Sequence, residues 1–146
     1  DRRRLDKVAS VAVFEEHPIG VEVDSVPSFY LTSVFNGMLA GKTHHYPGVP
    51  QAFAAMKAGE VDAVMAMRGE IDWQVFKATD PQLALAQNAY PNMGKQRWEI
   101  GMAVHESNRQ LAYAVEEALE GLIRDGSLHT IYSHYGLRYE VPEMYQ

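Results

Sequence analysis

Residues 49–68, VPQAFAAMKAGEVDAVMAMR, compress an amphipathic helix, a glycine stop and an apolar strand into one run with almost no loop. Phe53, Met56 and Lys57 recur at helical spacing, and Gly59 stands where a left-handed residue ends a helix. Residues 61–67 are then almost wholly apolar, the pattern of a strand covered on both faces, as in a parallel sheet. Ligands of doubly wound sheets gather just beyond the carboxyl ends of the strands. Met67 and Arg68, which close this strand, are therefore candidate ligand-binding residues.

The rest of the chain narrows what such a unit can do. A length of 146 residues suits one domain with a real core. A net charge of -6 argues against a nucleic-acid partner, because binding a polyanion needs Lys and Arg to neutralise phosphates. The one basic cluster, Arg2, Arg3 and Arg4, reads first as a solvated terminus. No run approaches the roughly 18 apolar residues of a membrane span. With no cysteine there is no disulfide framework, thiol nucleophile or zinc-thiolate site. The chain opens at Asp1 without a signal peptide, as expected of a protein that is not exported or of the mature form of one that is. His44 and His45 are adjacent, so on a strand they face opposite sides, while His129 and His134 would lie about 140° apart on a helix. No metal is expected, and no P-loop, G-x-G-x-x-G or G-x-S-x-G motif suggests a nucleotide cofactor or a serine nucleophile.

Strand-like and helical runs alternate along the sequence. Residues 8–14 read as a strand, with a helix the open alternative, and residues 20–23 as a second strand. Asp24, Ser25 and Pro27 give a capped helix start, and the apolar stripe that follows ends at Gly41. Residues 42–46 suit an edge strand. A short helix is expected between Gly69 and Pro81, then strands at 83–88 and 100–104 around a loop at 90–97. Ser107 with Gln110 reads as a capping box opening a long helix, which Asp125 and Gly126 break before a short helix that Gly136 stops.

The run IGMAVHESNRQLAYAVEEALEGLIRDGSLHTIYSHYGL, residues 100–137, resembles the end of the extracytoplasmic solute-binding proteins of ABC transporters, specifically the amino-acid-binding type with the type 2 periplasmic fold. GEVDAV, residues 59–64, and IGVEVDSVPSFYL, residues 19–31, resemble that family's second lobe, in the same order. The resemblance implies an α/β lobe with a mixed, mostly parallel sheet flanked by helices. It implies a first-lobe or hinge remnant at 1–18, the second lobe at 19–99, the return strand and C-terminal helices of an incomplete first lobe at 100–137, and a tail at 138–146. The chain would then be a fragment, a processed product or an excised piece of a longer protein. Its implied role is non-enzymatic: a periplasmic or extracytoplasmic receptor or sensor binding a small polar, carboxylate-bearing molecule in an interlobe cleft, with an ABC permease as partner.

Site residues follow from the same resemblance. Asp24, Ser25 and Val26 occupy the turn where the family offers N–H groups and hydroxyls to the ligand, and a helix N-terminus suits an anion on physical grounds as well. The local alternative is that Ser25 merely caps its own helix. In one register Arg3 matches the arginine that grips a ligand carboxylate. Trp98 either packs on the ligand or fills core. Where the family has an acid for an ammonium, this chain has Ala66, Met67 and Arg68, with no carboxylate until Glu70. Arg68 therefore suggests a carboxylate or other anion, unless it points to solvent, and an ordinary α-amino acid looks unsuited. Two other classes stay open. One is a dehydratase-like enzyme on the same scaffold using Glu70, Asp72 or Glu99. The other is a lobe without ligand affinity that forms a homodimer or swapped assembly.

Overall fold

The computed structural model describes residues 1–86 and 90–146, in two compact units, Asp1–Gln96 and Arg97–Gln146. The first is α/β. Its sheet has three parallel strands in the order β2-β1-β3, where β1 is Ile19–Glu22, β2 Thr43–Tyr46 and β3 Ala63–Val64. Ile19 pairs with Thr43 on one side and with Ala63 on the other. Three helices connect and flank the strands: α1 Val26–Gly37, α2 Val49–Ala58 and α3 Arg68–Ala78.

The core has two parts. Ile19, Val21, Leu31, Val34 and Leu39 pack with Val11 and Phe14, while Phe53, Met56, Val61 and Leu83 form a second cluster under α2. Val11 and Phe14 lie on a 3-10 turn, Val11–Glu15, where a strand was expected with a helix as the open alternative; their burial needs only one inward face, which a turn supplies. At Gly20 an added Cβ would stand 3.1 Å from the Tyr46 ring and 3.3 Å from Val61 Cγ2, so a side chain there would require both neighbours to give.

The α2–β3 junction follows the sequence reading, with φ +90° at Gly59. The Gly59 N–H donates to Met56 O and the Glu60 N–H to Ala55 O, closing a Schellman turn. The Arg4 guanidinium donates to Met56 O, alongside the Gly59 N–H, and to Val61 O beyond the helix, bridging the turn between α2 and β3. At the same sheet edge His17 Nδ1 meets Asp62 Oδ2 at 2.7 Å, tying the approach to β1 to the approach to β3.

Three expectations are corrected in this unit. The strand expected at 61–67 pairs over only two residues, both half-buried, although the Asp62 and Met65 N–H groups extend the contact to Pro18 O and Gly20 O. Helix α1 stops before Gly41, because Val34 turns to ψ 147° and Phe35, Asn36 and Gly37 are left-handed. Ser33 and Thr32 hydroxyls donate to Phe29 O and Ser28 O just before this break, competition that weakens a helix end. Of the strand expected at 83–88, residues 83–86 form none, and residues 87 and 88 lie outside the described residues.

The second unit is helical. Residues 97–104 find no strand partner among the described residues, in place of the strand expected at 100–104. The Ser107–Gln110 capping box is not formed. A 3-10 turn, Glu106–Asn108, takes Ser107 inside it, the Ser107 N–H donates to His105 Nδ1, and the long helix α4 begins only at Arg109, ending at Arg124. Asp125 and Gly126 break it as expected, and α5 is Ser127–His134. Asp125 accepts the Ser127 N–H at 2.8 Å, and this bond holds its carboxyl below the usual range. No helix among the described residues is long and apolar enough to cross a membrane.

Candidate ligand cleft at the strand ends

Because β1, β2 and β3 run parallel, their carboxyl ends share one edge, and each leads within a few residues into a helix start. The N-termini of α1, α2 and α3 therefore gather at that edge, the position at which α/β sheets bind ligands. A small cavity of about 90 Å³ opens there. Glu22, the last residue of β1, forms one side with Ser25, Val26 and Pro27 of the turn into α1. Val49 enters from α2. Ala66, Met67 and Glu70 close it from the turn into α3. The walls are thus apolar (Val26, Pro27, Val49, Met67), and both charged groups are carboxylates.

Ser25, Val26 and Met67, singled out in the sequence, do meet in this cavity. Asp24 shapes it from outside, adopting φ 56° to turn the chain from β1 into α1. Ser25 is engaged locally: its hydroxyl donates to Glu22 O at 2.6 Å and accepts the Ser28 N–H at 3.3 Å. Pro27 has no N–H, so two of the first three donors of α1 are spent or missing, and the turn is a poorer anion site than expected.

The other candidates lie elsewhere. Arg68 does not line the cavity; its Nε donates to Asp72 Oδ1 at 2.6 Å. Arg3 is bound by Asp1 and Asp80, and Asp1 in turn reaches Asp62 O ahead of β3, at the opposite end of the strand from the cavity. Trp98 belongs to the second unit and is half-exposed. Of the carboxylates nominated for an enzyme, Asp72 is buried against Arg68 and Glu99 accepts the Glu143 N–H in the second unit, which leaves Glu70 in the cavity.

Glu22 is the residue that sequence reasoning missed. It adds a second carboxylate to that of Glu70, beside Ala66 and Met67, which carry no charge. Its signal was its place as the last residue of a short strand immediately before a capped helix, the same rule applied to Met67 and Arg68. No group of three or more metal-binding side chains occurs among the described residues. His45 Nε2 meets Ser28 Oγ at 3.0 Å, and His17 Nδ1 meets Asp62 Oδ2 at 2.7 Å. Comparison with protein-family models, curated proteins and solved structures finds no match to this chain.

Proposed function

We propose that the chain is a solute-binding lobe of the type 2 periplasmic-binding kind, the receptor part of an ABC transporter or a related extracytoplasmic sensor, which binds without turning its ligand over. The observation that carries this reading is the cavity at the ends of three parallel strands, apolar in its walls and bearing Glu22 and Glu70. Such a cavity takes the cationic head of a small solute, with aliphatic surface against Val26, Val49 and Met67. A ligand carboxylate stays outside the cavity, whose lining holds no cation among the described residues; Arg68, next to Met67 in the chain and half-exposed, is the sequence's candidate to meet it. The ligand class is therefore a small amine that also carries a carboxylate. Ordinary α-amino acids, unsuited on the residues after β3 alone, fall within that class once Glu22 is counted. A facing lobe closing on the bound solute would shift the population toward closed forms.

The test is a thermal shift and calorimetry screen with L-alanine, L-leucine and L-glutamine, simple alkyl amines and alkyl carboxylates. Ligand at about 100 times its Kd stabilises the native state by about 2.7 kcal/mol. Amines and amino acids are expected to raise Tm by several degrees, alkyl carboxylates to do less, and Glu22→Gln with Glu70→Gln to abolish the gain. A panel without effect on the wild-type chain sinks the reading. Catalytic turnover of any panel member, lost in Glu70→Gln, replaces it with the dehydratase-like enzyme.

The second unit supports a further part of the proposal, self-association. Ile100 and Met102 are 89% and 62% exposed, Leu111 and Tyr113 are also exposed, and no residue of α4 or α5 is buried. Apolar surface of this kind favours a homodimer or swapped assembly. Sedimentation equilibrium is expected to give a mass above 16.4 kDa that rises with concentration. A monomer mass at every concentration refutes it.

A further inference from the structure

The residues lining the cavity differ in depth. Val26 and Met67 are 46% and 42% exposed and Glu70 is exposed, so they form its lip, while Glu22 is half-buried. Pro27 and Val49 are buried and form the floor. Both carboxylates thus sit toward the wet end, and the dry end is aliphatic. An ammonium keeps part of its hydration by staying with Glu22 and Glu70, since a charge is costly to bury, whereas a hydrocarbon chain gains by leaving water. A bound amine therefore points its chain at the floor.

Val49 is placed to set how much chain fits. It is only 3% exposed, yet among the described residues it belongs to neither core cluster, so its burial serves the cavity wall and not the core. The backbone fixes its position. Tyr46, the last residue of β2, pairs with Glu22 and accepts the Val23 N–H at 2.9 Å, and three residues later Val49 opens α2 with Pro50 behind it. Valine is itself stiff at χ1, whereas Met67 at the lip is unbranched and adapts to what it meets. A cavity of about 150 Å³ holds the six carbons of benzene, so one of about 90 Å³ has room for about three or four. We infer that Val49 is the specificity-determining floor of the cleft, limiting the aliphatic chain of the bound amine to about three or four carbons. This rests on the solute-binding reading above and adds the residue that sets chain length.

Calorimetric titration with a homologous series, ethylamine to hexylamine, tests the inference in the wild-type chain and in Val49→Ala. In the wild-type chain affinity is expected to rise about fourfold per methylene as far as propylamine or butylamine and to rise no further, because the next carbon meets the floor. Val49→Ala takes two carbons off the floor, and the break should come one or two methylenes later. A general loss of structure would weaken every amine alike and leave the break where it was. Should Val49→Ala fail to fold, Val49→Ile decides, since its added methylene should bring the break one methylene earlier. An unmoved break in the folded variant overturns the inference, as does wild-type affinity that climbs evenly to hexylamine, both with amine binding left intact. Absence of binding of every amine by the wild-type chain overturns the inference and the solute-binding reading together.

Discussion

In a Trp98→Phe background, where Trp73 alone reports on the α/β unit, Leu31→Ala is expected to lower unfolding stability by about 2–5 kcal/mol. Leu31 is 0% exposed and stands on the inner face of α1, packed in the cluster of Ile19, Val21, Val34 and Leu39. Truncation removes three carbons from water-free surroundings and leaves a hole that these neighbours cannot fill, since strand β1 is held on both sides by its ladders. In urea the midpoint should fall by about 1 M or more without a change in m. A cost below about 1 kcal/mol would mean that Leu31 is not packed into the first core cluster.

The second large effect concerns Gly59. Gly59→Ala places a Cβ on a residue at φ +90°, a strain of about 1–3 kcal/mol, and sets that carbon 2.6 Å from Arg4 Nη2. Moving the guanidinium aside would be easy were it loose, but it is bonded to Met56 O and Val61 O, so the contacts that close α2 are lost with it. A total cost of about 2–4 kcal/mol is expected. The two contributions separate in a double-mutant cycle: in an Arg4→Ala background the clash is gone, and Gly59→Ala should cost only the backbone strain. Equal costs in both backgrounds would show that Arg4 does not occupy the space beside Gly59.

The contrast between these positions shows how far sequence could reach. Helix α2 and its glycine were legible because every determinant is local: apolar spacing, Pro50 in the first turn and Gly59 at the end. The break in α1 was signalled but went unread: Asn36-Gly37 is a turn dipeptide whose residues take left-handed angles readily, and only left-handed Phe35 is set by context. Strand extents failed for a related reason. An apolar run such as 61–67 states a tendency, but its paired length depends on β1, which is four residues long. At the site, Ser25, Val26 and Met67 were found by the rule that strand ends gather ligands, and Glu22 satisfied the same rule unread. Arg68 could not be judged from the chain alone, because its charge is qualified by Asp72, whose burial is a tertiary fact.

The cleft draws on the end of β1 and on the starts of α1, α2 and α3, so none of its walls exists until all four segments have docked. Occupancy of the cleft is consequently a readout of cooperativity. A bound solute favours only conformations in which the whole edge is assembled, and it should slow amide exchange in β1, α2 and α3 by a common factor instead of protecting one loop. Substitutions far from the cavity that loosen any one of these segments will then weaken binding in proportion to the opening they allow.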